Sequence, residues 1–149
     1  MELGRGIADV LTGRVSPAGR LAQTWYGKDF KYPDINDYDI KKNHMTYIYA
    51  DKPVLYPFGH GLSYTTFEYS DPEIKAGVVS FTIRNTGSRA SDEVWQAYSL
   101  KGGRRLIAFG RQSIAAGESV RICFEAVSGE ILIGASSEDI RLRIQPFIG

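Results

Sequence analysis

The stretch VVSFTIRNTGSRASDEVWQAY, residues 78–98, decides the fold. Val79, Phe81 and Ile83 alternate with Ser80, Thr82 and Arg84, and Asn85-Thr86-Gly87 then breaks the pattern. A period of two places every second side chain on one face, so this is a strand with one dry side, followed by a turn. The alternation returns twice, as Val120, Ile122 and Phe124 against Arg121, Cys123 and Glu125, and as Ile140, Leu142 and Ile144 against Arg141, Arg143 and Gln145. Gly102-Gly103, Ala116-Gly117-Glu118 and Ser128-Gly129 supply turn chemistry at short intervals between them. Strands are predicted at 66–71, 78–85, 93–100, 105–114, 119–126, 130–135 and 139–145, and seven strands spaced this way make a mainly β chain with an antiparallel, immunoglobulin or fibronectin type III-like sandwich. The single cysteine excludes an intrachain disulfide, and Cys123 is read as a small buried residue of the run SVRICFEA. Trp95 and Tyr98, three apart in one predicted strand, point to opposite faces, which puts at least one of them in the core.

Upstream of residue 65 the texture is different. Leu3, Ile7, Val10 and Leu11 recur at helical spacing and Gly13 is a left-handed stop, so a short amphipathic helix is predicted from Glu2 to Thr12. RVSPAGR is a turn and LAQTWY reads as a brief strand. GKDFKYPDINDYDIKKNH, residues 27–44, is a long irregular connection of a kind uncommon inside compact domains. The next unusual run is YPFGHGLSYTTFEYS, residues 56–70. Gly59 and Gly61 permit backbone angles other residues avoid and Pro57 stiffens the turn, while Tyr56, Phe58, Leu62 and Phe67 can clamp the connection onto the sandwich. These seven residues, Tyr56, Pro57, Phe58, Gly59, Gly61, Leu62 and Phe67, are read as a packed structural hinge.

Composition narrows the function classes. A chain of 149 residues, 43% hydrophobic, can bury a core. Its 18 basic and 17 acidic residues are spread along the sequence, which points to neither a nucleic-acid nor an anionic-membrane partner. No signal-peptide pattern or membrane-length apolar run is present, so the default location is cytoplasmic.

Taken in order, IADVLTGRVSPAGRLAQTW, YPFGHGLSYTTFEYS, VSFTIRNTGSRASDEVWQAY, GESVRICFE and ILIGASSEDIRL resemble the C-terminal end of glycoside hydrolase family three, the β-glucosidases and β-xylosidases. The resemblance implies three parts: residues 1–26 as the remnant of an α/β sandwich domain, 27–65 as a connecting segment and 66–149 as a fibronectin type III-like domain. It also implies that the nucleophilic aspartate and the acid/base glutamate lie in regions this sequence does not contain. Retaining hydrolysis needs two carboxyl groups about 5 Å apart across a sugar, so no catalytic residue is assigned to any position. Two departures stand out: only Ala126–Gly129 separates two strands where the family carries a longer stretch, and Ile48 stands in MTYIYA where an arginine is common.

The remaining chemical readings are weaker. His60, Ser63 and Asp51 suggest a hydrolytic triad, but Thr65 stands where a nucleophile elbow needs glycine. Asp34, Asn36, Asp37 and Asp39 suggest calcium, but Tyr38, Asp39 and Met45 break the EF-hand register, so no cofactor or metal is expected. Gly4-Arg5-Gly6 lacks the preceding strand of a dinucleotide site. Trp25, Tyr26, Phe30, Tyr32, Tyr38, Tyr47, Tyr49 and Tyr56 crowd the first half as surfaces for an absent partner, with a sugar platform as the second reading. Expected partners are therefore the catalytic domains of a parent glycosidase, or of a separate chain in a split enzyme. Self-association through the orphaned helix and β-glycan binding as a stand-alone module are the alternatives.

Overall fold

The structure, a computed structural model, describes residues 2–145. Met1 and residues 146–149, which belong to the first and last predicted parts, lie outside the described residues. Helix α1 spans Glu2–Leu11 and a single turn, α2, spans Thr46–Tyr49. Seven strands follow: β1 Phe67–Lys75, β2 Val78–Asn85, β3 Ser91–Ser99, β4 Arg105–Ile114, β5 Ser119–Glu125, β6 Ile131–Gly134 and β7 Ile140–Ile144. They form two antiparallel sheets, β1-β2-β5 and β4-β3-β6-β7, a seven-stranded sandwich. Each of the seven strands predicted from residue 66 onward is present, with ends shifted by a few residues.

The alternation in the sequence becomes the core. Val79, Phe81 and Ile83 of β2 are fully buried and meet Trp95 and Ala97 of β3, Ile122 of β5, and Ile131 and Ile133 of β6 between the sheets. Phe81 sits at the centre, with the rings of Tyr69, Trp95 and Phe124 at 5.9, 5.6 and 6.5 Å. Gly110 of β4 lies over the Trp95 indole, where a Cβ would collide with the ring. The β5–β6 connection at Ala126–Gly129 closes as a tight turn with Gly129 at φ 107°, packed beside the β3–β4 turn through Leu100 N–H donating to Glu130 O at 3.3 Å.

Two expectations need correction. Cys123 is exposed rather than buried. It shares the outward face of β5 with Arg121 and Glu125, while Ile122 turns inward and Val120 and Phe124 pack against the core; in a strand with one wet face, parity outweighs a residue's preference for burial. LAQTWY does not form a strand and reduces to one antiparallel bridge, Trp25 with Tyr56. The next residue after Tyr56 is Pro57, which has no N–H to continue a ladder.

Tyr98 and Trp95 are both buried, at 0% and 6% exposure. Trp95 faces the inner core, whereas Tyr98 points to the outer face of the four-stranded sheet, a face covered by the leading segment of the chain. Tyr47 stacks on Phe58 at 4.4 Å and meets Tyr98 edge-on at 5.8 Å. The buried Tyr98 hydroxyl donates to Gln96 Oε1 at 2.5 Å, and burial pushes its pKa well above the usual tyrosine range.

Candidate functional site: the seam between the leading segment and the sandwich

Side chains far apart in sequence hold the leading segment down. At its centre Arg20 meets Glu93 of β3, Nη2 to Oε2 at 2.8 Å, with 10% and 2% of the two side chains exposed. The other Glu93 oxygen accepts from the Tyr69 hydroxyl of β1 at 2.9 Å. Arg141 of β7 lies 5.4 Å from the Tyr69 ring centre and pairs with Asp139 at 2.8 Å. Burial is the largest influence on Glu93 and raises its pKa, against the lowering effects of the Tyr69 hydrogen bond and the Arg20 and Arg141 charges. Asp139 is held low, chiefly by its hydrogen bond from Arg141. Burial and the neighbouring Glu93 carboxylate push the Tyr69 phenol up.

Three serines form a second clasp. Ser16, Ser63 and Ser91 close a ring of hydroxyl contacts at 3.2, 3.2 and 2.9 Å, and Ser16 Oγ also accepts the Tyr64 N–H at 3.1 Å. The end of α1 is tied in the same way, with Arg89 donating to Gly13 O at 2.6 Å and the Tyr64 hydroxyl to Val10 O at 2.9 Å. Gly13, at φ 70°, ends the helix in the left-handed conformation its sequence suggests. Asn85, read from sequence as a turn signal, is a fully buried knot. Its side chain accepts from the Thr65 hydroxyl at 2.6 Å and donates to Arg89 O and Ile114 O at 2.7 and 3.0 Å.

The seven residues read from sequence as a hinge divide between these contacts. Tyr56 bridges to Trp25, and the Phe58 carbonyl accepts from Ser137 N–H at 2.9 Å. Phe67 enters the inner core at 8% exposure, while Leu62 is 71% exposed. The Pro57 carbonyl accepts from His60 N–H at 3.0 Å, closing the turn around Phe58 and Gly59. Gly59 is buried at φ 86°, and a Cβ there would collide with the Gln96 carboxamide; Gly61 lies equally close to Gly19 O. Gly59→Ala is therefore expected to cost about 1–3 kcal/mol from backbone strain alone, and chemical denaturation checks it. A change below about 0.5 kcal/mol, the range of ordinary surface substitutions, would show that this turn does not clamp the sheet.

The other candidate residues are not brought together as catalytic or metal sets. His60 tilts over the Tyr56 ring at 4.8 Å, Ser63 belongs to the serine ring, and Asp51 faces His44 at 3.2 Å. In the acidic loop Asp34, Asp37 and Asp39 accept backbone N–H groups of their own turns, and Lys42 pairs with Asp37. The Arg20–Glu93 pair was missed in the sequence reading although a signal existed. Glu93 falls in step with Trp95 and Ala97 on the dry face of β3, and a carboxylate there requires a cationic partner.

Around this seam lies a cavity of about 460 Å³ whose polar lining includes Arg20, His60, Glu93, Ser136, Asp139 and Arg141. Fold and seam together define a fibronectin-like β-sandwich with a leading segment clasped across its outer face. The sequence model of the Glycosyl hydrolase family 3 C-terminal domain matches residues 1–64. Thermostable beta-glucosidase B of Acetivibrio thermocellus is 33% identical over 95% of this chain and 25% of its own length. Beta-xylosidase of Formosa agariphila is 31% identical over 98% of this chain and 22% of its own. Among solved structures, beta-glucosidase 3B from Thermotoga neapolitana in complex with glycerol superimposes with a TM-score of 0.82 at 33% identity, covering 99% of this chain and 27% of that one. The chain belongs to glycoside hydrolase family three and corresponds to its C-terminal region. It spans between 12% and 25% of the length of the curated relatives it matches.

Proposed function

We propose that these residues serve a β-glycosidase of terminal β-linked glucose or xylose as a non-catalytic scaffold. In this reading residues 1–26 complete an α/β sandwich domain, 27–65 connect it, and 66–149 are the fibronectin type III-like domain. Of the seven residues named above, Pro57, Phe58, Gly59, Gly61 and Phe67 form the packed part of the hinge, Tyr56 joins it through its bridge to Trp25, and Leu62, expected to clamp, stands exposed.

The observation that carries this reading is helix α1. Leu3, Ile7 and Leu11 are 79%, 51% and 78% exposed on one stripe, while the far end of the helix is tied to the sandwich by Arg89 and Tyr64. An apolar stripe held at a fixed angle is suited to the catalytic part of a longer glycosidase. The carboxylates in the seam support a structural role, since Glu93 and Asp139 are each neutralised by an arginine.

The test is hydrolysis of chromogenic aryl β-glucoside and β-xyloside by the purified chain at high protein concentration. No turnover above a matched blank is expected. Turnover that survives repurification would place working carboxylates within these residues and overturn the scaffold reading.

A further inference from the structure

The polar cavity at the seam continues into a second of about 530 Å³, and the two share Arg20, His60, Gly61 and Leu62. The second is walled by Trp25 and Tyr56, 46% and 41% exposed and fixed side by side by their backbone bridge. Most other aromatics of the leading segment are spoken for. Tyr26, Phe30 and Tyr32 pack on one another, and Tyr47 and Phe58 stack toward Tyr98. Trp25 and Tyr56 are the aromatic faces that open onto this groove, beside its charged groups.

Those charges cancel. Arg20 and Arg141 face Glu93 and Asp139 in the polar half, so an anion or a cation would meet as much repulsion as attraction. A neutral ligand with hydroxyls along one edge and a C–H face on the other matches both halves. Aromatic rings take C–H faces by dispersion, and charged side chains form strong hydrogen bonds to hydroxyls. We propose that the seam is a saccharide-binding groove for one or two neutral pyranose rings, with Trp25 as the stacking platform and Arg20 and His60 as the hydrogen-bonding edge. The volume suits such a ligand. The proposal goes beyond the scaffold reading and stands on residues other than the α1 stripe, so it survives or fails independently of any catalytic partner.

The chain holds two tryptophans, and Trp95 is only 6% exposed, so emission changes report Trp25. The full chain is titrated with cellobiose and, separately, xylobiose, following tryptophan emission and amide shifts by NMR. At least one sugar is expected to saturate with a dissociation constant of about 1–10 mM, moving the amides of Gly59–Leu62. Trp25→Ala, checked for folding by circular dichroism, should weaken binding about tenfold or more, and Trp25→Phe should retain part of it. Three results would each overturn the proposal: non-saturating responses to both sugars, binding undiminished in Trp25→Ala, or amide shifts confined to residues remote from the seam. Sedimentation showing a dimer with Trp25 already dry would assign the groove to a second copy of the chain, and would overturn it as well.

Discussion

Arg20→Ala is expected to destabilise the chain by about 3–5 kcal/mol at neutral pH, the cost of leaving a buried carboxylate without its cation. Glu93 is 2% exposed and Arg20 alone pairs with it directly, at 2.8 Å, whereas the nearby Arg141 is engaged by Asp139. The penalty depends on pH in a defined direction. The folded pKa of Glu93 is raised, mainly by burial, and removing Arg20 raises it further. A carboxyl whose folded pKa lies above its unfolded value contributes its stability in full below the unfolded value, about 4.3. That contribution is lost as pH rises through the folded value. The deficit of Arg20→Ala relative to the parent chain should therefore be large at pH 8 and shrink toward pH 5, read from urea denaturation at both. Arg20→Met combined with Glu93→Gln should recover much of the loss, because an apolar and a neutral group share the site at lower desolvation cost. Equal deficits at both pH values would mean that Glu93 keeps one protonation state between them, against a raised folded pKa.

Phe81→Ala should have an effect of similar size for a different reason. The ring is fully buried, lies parallel to Tyr69 within 8°, and meets Trp95 and Phe124 edge-on at 78° and 77°. Truncation removes the contacts that join the two sheets and leaves a cavity the neighbouring rings cannot collapse into. A loss of about 3–5 kcal/mol is expected, against a total of about 5–15 kcal/mol for a domain. Calorimetry should show the midpoint falling by roughly 10 °C or more. Phe109→Ala, at a ring 70% exposed on β4, serves as the control and should change stability by no more than about 0.5 kcal/mol. A Phe81→Ala effect no larger than that of Phe109→Ala would mean the inner core is not organised around this ring.

The connection at Ala126–Gly129 is short. The sandwich nonetheless keeps β5 and β6 in separate sheets, joined directly by the tight turn. An insertion at such a turn lengthens a surface connection without altering the pairing on either side, at an entropy cost that grows only slowly with loop length.

What the sequence determined by itself was set by local periodicity. Val79, Phe81 and Ile83 needed only a two-residue repeat to be placed inward, and Gly13 needed only its position after an apolar helical stripe. Such patterns depend on the geometry of a single strand or helix, and every strand of the sandwich was legible from them. The tertiary structure decided which outer surfaces are dry and which polar side chains the interior tolerates. Tyr98 is buried because Tyr47 and Phe58 lie over its sheet, Glu93 is tolerated because Arg20 arrives, and Asn85 is a buried knot because Thr65, Arg89 and Ile114 converge on it. The single bridge at Trp25 likewise depends on Tyr56, distant in sequence. These partners lie 4 to 73 residues apart along the chain. Periodicity encodes the face a side chain takes on its own element, and carries no information about which distant segment will close over that face.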